Sequence, residues 1–164
     1  AKTLQITDIV IPCVDQSSLE TKEAVNRFVE QITKIIPKIE KQNINLSLET
    51  DLAPQPFIEL LDKLNSKNIT VNYDIGNSAA LGFDSDEELE AYGDRITDIH
   101  IKDRVLDGGP VILGEGSANF KKFFTKLKGF NYRGAFIMQA YRDDEGVEIF
   151  KKQLAWVKPY LENI

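Results

Sequence analysis

The sequence predicts an α/β domain of parallel strand–helix units, and three observations lead there. Short apolar runs alternate five times with longer amphipathic stretches that carry helix-start signals. The runs are separated by helix-length segments rather than by tight turns, which implies parallel pairing with right-handed crossovers. Four of the runs stop at one polar residue able to bind a metal. Residues 44–49 end at Glu49, residues 69–74 at Asp74, residues 96–100 at His100 and residues 134–139 at Gln139. A parallel strand delivers its last residue to one rim of the sheet, so these four side chains can converge. Five such units fit either a small doubly wound sheet or part of an eight-stranded (β/α) barrel. Ligands at successive strand ends favour the barrel rim.

The elements follow in order. Residues 6–14 read as a buried strand, with Pro12 near the end where a missing donor is tolerated. Ser17-x-x-Glu20 is a capping box that opens a long helix through residue 41, with Pro37 as a kink. Val25, Phe28, Val29, Ile32, Ile35, Ile36 and Ile39 form its apolar stripe. The second strand leads through residues 50–54 to a helix over 56–67. The third is followed by Ile75-Gly76-Asn77-Ser78. A second capping box, Ser85-x-x-Glu88, starts a short helix ended by Gly93. The fourth strand runs to His100 and Ile101, and a glycine-rich loop over 102–116 precedes a helix over 117–128. The fifth strand, residues 135–139, leads into Tyr141-Arg142-Asp143-Asp144 and a terminal helix ending near residue 161.

Bulk properties exclude several classes of protein. The chain has 164 residues, enough for one domain with a substantial core and too few for two ordinary ones. A formal net charge of −6 argues against nucleic acid as a partner, because phosphate binding wants a basic face. No apolar run reaches the length of a membrane span, and no signal peptide precedes the first strand. The single cysteine, Cys13, rules out an internal disulfide and fits a cytoplasmic location. It lies in an apolar run, which favours a buried structural thiol over a nucleophile.

Leu48-Glu49-Thr50, Tyr73-Asp74-Ile75-Gly76-Asn77, His100-Ile101-Lys102-Asp103-Arg104 and Leu113-Gly114-Glu115-Gly116 together resemble the later strands of the xylose isomerase-like TIM-barrel superfamily. Within it the chain is most similar to sugar-phosphate isomerases and epimerases of the hexulose-6-phosphate isomerase or L-xylulose-5-phosphate 3-epimerase kind. The resemblance implies one domain over residues 1–164, a partial barrel corresponding to strands 4–8, with strands 1–3 absent. It implies exposed sheet edges that pair with a missing barrel half or with another subunit in a homo-oligomer. It also implies a divalent cation (Mn²⁺, Mg²⁺, Co²⁺ or Zn²⁺) on Glu49, Asp74, His100 and Gln139, with Glu49 as catalytic base. The substrate expected from it is a small sugar or sugar phosphate, carried through a metal-stabilised enediolate. The family's epimerases place a second glutamate where this chain has Gln139, and an amide cannot exchange a proton near neutral pH. A one-base proton shift between adjacent carbons remains open; two-base epimerisation lacks its partner. The rival reading is a non-catalytic or degenerate barrel domain that binds a carbohydrate-like ligand or a partner chain.

Each residue also has a plainer reading. Asp74 could simply begin an Asx turn, and His100, the sole histidine, could be a structural residue of an apolar strand. Lys102 and Arg104 share a side of an extended segment with His100. They bind a substrate phosphate or hydroxyl group, or they are solvated charges balancing Asp98, Asp103 and Asp107. Arg142 is a further candidate for an anionic group. Gly114-x-Gly116 before Ser117 either binds phosphate through backbone amides or forms a turn. Asn77 braces the Asp74 loop, and Tyr73 and Trp156 are packing residues. An AP endonuclease-type trinuclear zinc site is excluded, since one histidine cannot build it.

Overall fold

The computed structural model describes residues 2–141, 146–162 and 164. In chain order its main elements are β1 (Asp8–Cys13), α1 (Lys22–Gln42), β2 (Asn45–Thr50), α2 (Pro54–Leu64), β3 (Ile69–Asp74), α3 (Ile75–Ala80), α4 (Ser85–Tyr92), β4 (Ile96–Ile101), β5 (Asp103–Arg104), β6 (Pro110–Val111), α5 (Phe120–Leu127), β7 (Ala135–Met138) and α6 (Val147–Leu161). Five strands form one parallel sheet in the order β1-β2-β3-β4-β7, and β5 and β6 make a small antiparallel hairpin beside it.

Strand order separates the two architectures left open by the sequence. A doubly wound sheet reverses direction at a switch point and places helices on both faces. Here each strand pairs with its sequence neighbour, and α1 touches α2, α2 touches α4, α4 touches α5 and α5 touches α6. The helices therefore form one continuous layer, which is the arrangement of a (β/α) barrel wall.

That layer holds the core. Leu46, Leu48, Val71, Tyr73, Ile99 and Ile101 project from the strands onto Phe57, Leu60, Leu61, Leu89, Phe123, Leu127 and Val157 of the helices. Side chains alternate across a strand, so the positions between these apolar residues face the other way. Those positions are polar: Ser47 and Glu49 on β2, Thr70, Asn72 and Asp74 on β3, Asp98 and His100 on β4. A register shift at Val71/Asn72 turns Thr97 to the same side, where its hydroxyl meets those of Ser47 (2.8 Å) and Thr70 (2.9 Å).

Several local expectations are corrected. The residues around Ser17 form a short 3₁₀ turn, and α1 begins only at Lys22, capped by the Thr21 hydroxyl on the Ala24 amide (3.1 Å). The next residue, Ser18, bonds Asp51 (2.7 Å), tying the segment after β1 to the loop after β2. The helix runs through Pro37 to Gln42 without interruption. The second capping box also dissolves, because Asp84 caps α4 and Glu88 turns inward. α5 starts at Phe120, three residues later than the sequence suggests, with Asn119 as its cap.

Glu88 is a buried acid in the helix layer, 3% exposed. It accepts hydrogen bonds from Tyr73 (2.7 Å), Tyr92 (2.8 Å) and Ser78, joining α4 to the strand and helix that carry Asp74. Burial pushes its carboxyl up from the ordinary value, against the pull of the three hydroxyls. A group with a raised folded pKa holds its proton where the unfolded chain has lost it. Its contribution is therefore full at low pH and falls as pH rises from about 4.3 through the folded value. Glu49 and Asp98 are raised too, also chiefly by burial, and share this sign in metal-free protein. Urea unfolding in chelator across that range should show stability declining with pH, less steeply in Glu88→Gln. An identical slope in the variant sinks the assignment.

Candidate metal centre

Glu49, Asp74 and His100 stand at the ends of three adjacent strands and point to one side. One donor atom from each lies within 4.8 Å of the others, and all three residues are buried. His100 Nδ1 is 3.6 Å from Glu49 Oε2 and 3.7 Å from Asp74 Oδ2. Ligand atoms around a divalent cation at about 2.1 Å sit about 3.0–3.4 Å apart, so His100 Nδ1 needs to approach each carboxylate oxygen by only a few tenths of an ångström.

The carboxylates are half-committed. Asp74 Oδ1 accepts the Asn77 backbone N–H (2.8 Å), capping α3, so the Asx-turn reading is correct for that oxygen. Its Oδ2 is buried and has no hydrogen-bond partner, an arrangement that is costly unless a cation completes it. Lys102 Nζ stands 3.5 Å away without a hydrogen bond. Glu49 Oε1 accepts from Asn77 Nδ2 (2.8 Å) and Oε2 from Asn72 Nδ2 (3.1 Å). Burial, and next the Asp74 charge, push the Glu49 carboxyl up from its ordinary value; the His100 and Lys102 charges oppose this. Two buried carboxylates and one imidazole nitrogen fit a divalent metal by chemistry, burial and spacing.

Gln139 occupies the same rim. It follows β7, its backbone N–H bonds the Ile101 carbonyl (3.0 Å), and its side chain is exposed. Among the described residues no hydrogen bond joins that side chain to Glu49, Asp74 or His100. It shares an open groove of about 810 Å³ with Lys102, Met138, Val147 and Phe150.

Lys102 and Arg104 converge as their spacing suggests. Lys102 Nζ (3.1 Å) and Arg104 Nη1 (2.9 Å) both donate to Asn77 Oδ1, and Arg104 also holds the Gly108 carbonyl through Nε and Nη2. Asn77 thus touches Glu49, Asp74 and both cations, a wider role than bracing one loop. Arg142 lies outside the described residues.

The phosphate reading of Gly114-x-Gly116 is overturned. The amides of Gly114 (2.9 Å), Gly116 (2.9 Å) and Ala118 (3.1 Å) all donate to the Asp103 carboxylate, which is fully buried. Gly114 has φ +90° with the Trp156 indole against it, and a Cβ at Gly116 would collide with Asp103. Both positions require glycine for closure of this loop. Gln153, buried on α6, ties the same loop down by accepting from Leu113 N–H (3.1 Å) and donating to the Tyr141 carbonyl (2.9 Å). Tyr73 stacks on Phe123 and Trp156 packs edge-on against Phe120, as packing residues do. Burial, with the nearby Asp51 and Glu49 charges, pushes the Cys13 thiol up to about 11, so it is no thiolate nucleophile. No helix among the described residues is long and apolar enough to cross a membrane.

Comparison with known proteins agrees with this fold. A putative L-ribulose-5-phosphate 3-epimerase, SgbU of Haemophilus influenzae, is 30% identical over 138 residues, covering 76% of this chain and 48% of the relative. The chain thus spans about half the length of that relative. A xylose isomerase domain protein from Planctomyces limnophilus superposes with a TM-score of 0.84 at 18% identity, over 99% of this chain and 62% of that one. The IOLI protein, solved with a bound zinc atom, superposes at 0.77 and 20% identity, over 97% and 66%. A family model described as xylose isomerase-like TIM barrel matches residues 1–160, and the chain belongs to that family.

Proposed function

We propose that this chain is the metal-bearing part of a sugar or sugar-phosphate isomerase or epimerase, folded as one domain that other barrel strands complete. The observation that carries the metal is Asp74 Oδ2: buried, without a hydrogen bond, and facing His100 Nδ1 beside Glu49. Glu49, Asp74 and His100 hold the ion, and Gln139 stands at the rim position where the resemblance places a fourth ligand. When bound, the ion stabilises negative charge on the oxygens of a ketose as a carbon acid is deprotonated. The names of the relatives favour a ketopentose 5-phosphate.

The chain's own residues do the rest. Glu49 removes the proton from the carbon next to the carbonyl, its Oε1 fixed by Asn77 so that the carboxylate keeps one orientation. Lys102 and Arg104 lie within reach of the same asparagine and are placed to receive an anionic substrate group, with Arg142 following β7 as a further candidate. Gln139 is neutral at every working pH, so the proton returns through Glu49 or through water. The buried setting of Glu49 and His100 limits water at the reacting carbon.

The test is deuterium exchange. Full-length protein with Mn²⁺ and L-ribulose 5-phosphate in D₂O should wash deuterium into the carbon next to the carbonyl. Glu49→Gln should lower the rate by at least about 100-fold, the scale of a lost general base. Sugar binding with no exchange in the native protein would establish the rival reading, a carbohydrate-binding domain in which Gln139 marks lost chemistry.

A further inference from the structure

We infer that Asn72, rather than Gln139, supplies the fourth protein ligand of the metal site, through its amide oxygen; this rests on the metal reading above. Asn72 is 2% exposed and lies two residues before Asp74 on β3, facing the same side. Its Nδ2 is 3.1 Å from Glu49 Oε2 and 3.2 Å from His100 Nδ1, between two of the ligand atoms. Those separations equal the spacing of about 3.0–3.4 Å between neighbouring ligand atoms on one divalent cation. The tip of this amide already stands where a ligand would stand.

The opposite end of the amide points the same way. Asn72 Oδ1 is buried and has no hydrogen-bond partner. A buried carbonyl without a partner is costly, and a strand in a core has no freedom to relieve it. With His100 neutral and Nδ1 unprotonated, the present orientation of the metal-free site is sensible, because an N–H group satisfies Glu49 and the imidazole lone pair. A cation needs that lone pair, so the N–H must leave His100 Nδ1 when the ion arrives. Half a turn of the carboxamide accomplishes this and brings Oδ1 to the ligand distances from Glu49 Oε2 and His100 Nδ1. A cavity of about 20 Å³ lined by Asn72, Glu49, Asp74, Asn77, Glu88 and Tyr92 has room for one water to partner the displaced NH₂.

Gln139 contrasts with this on every count. Its side chain is exposed in an open groove, it is one methylene longer, and no buried orphan atom marks it as a donor awaiting an ion. An amide oxygen is a weaker ligand than a carboxylate, so freedom lost on binding matters. A buried amide held by a central strand loses less of it than an exposed one.

The experiment is a cobalt(II) titration of the chelator-stripped, full-length protein, followed by calorimetry and by the visible absorption band of the bound ion. Asn72→Leu should weaken binding by about tenfold or more and alter the band, as loss of one ligand does. Gln139→Ala should bind within about twofold of the native protein, the scatter of a residue outside the site. Asn72→Asp preserves an oxygen at the same position and should keep one ion per chain; it decides the matter if the leucine variant does not fold. The assignment is overturned if Gln139→Ala weakens binding as much as Asn72→Leu, if Asn72→Leu keeps native affinity and band, or if Asn72→Asp loses the ion. A native protein that takes up no cobalt overturns the metal reading and this assignment together. Loss of cobalt in His100→Ala with none in Asn72→Leu overturns the assignment alone.

Discussion

Replacing His100 by alanine is expected to abolish stoichiometric divalent-metal binding, weakening affinity by more than about 100-fold. His100, on β4 beside the central strand, offers the one imidazole of the site, 3.6 Å from Glu49 Oε2 and 3.7 Å from Asp74 Oδ2, and is 5% exposed. Without it Glu49 and Asp74 face each other as two buried carboxylates, with Lys102, 3.5 Å from Asp74 Oδ2, as the charge beside them. Metal content after dialysis measures the loss directly. Thermal unfolding gives a second readout, because an ion that binds only the folded state at 100 times its Kd adds about 2.7 kcal/mol. That increment should vanish in the variant. An alanine protein still holding one ion per chain at native affinity would remove His100 from the site and, with it, the proposed chemistry.

Asp103→Ala should destabilise the fold by about 3–5 kcal/mol, the scale of breaking a buried charged network. The carboxylate is fully buried and takes three backbone N–H groups of the loop after β6; alanine leaves all three without a partner. The same loop bonds back to β5 through Ser117 N–H and the Arg104 carbonyl (2.8 Å), so loosening it also frees the arginine. Urea unfolding measures the first effect, and proteolysis within residues 105–118 the second. Asp103→Asn retains an acceptor oxygen and should lose roughly half as much. A loss below about 1 kcal/mol for alanine would mean that Gln153 and packing hold the loop without Asp103.

The three converging residues at the strand ends were legible because two short-range regularities coincide there. Period-two alternation sets which face a residue takes, and parallel pairing brings like ends of strands to one rim. Glu49, Asp74 and His100 could therefore be named from their places at the ends of apolar runs. The same alternation points to Asn72, two residues before Asp74, although a lone asparagine inside a strand carries no motif. Gln139 satisfied the rule in position, yet its side chain is exposed, because β7 lies at the edge of the described sheet and little packs over its end. The two capping boxes misled for a related reason. Ser-x-x-Glu describes a local contact, whereas Ser17 lies in a 3₁₀ turn ahead of α1, and Glu88 turned inward to Tyr73 and Ser78 beside Tyr92 of its own helix.

Composition and pattern by themselves determined the class of fold, the parallel strands and the identity of three converging polar side chains, since each depends on interactions between near neighbours in sequence. Packing across the sheet alone decided the rest. It placed the helices in one layer, handed the glycine-loop amides to Asp103 and linked Asn77 to both carboxylates and both cations. It also left Asp74 Oδ2 and Asn72 Oδ1 without partners. Whether a buried polar atom is satisfied depends on residues tens of positions away, and no local regularity of the chain encodes that distance.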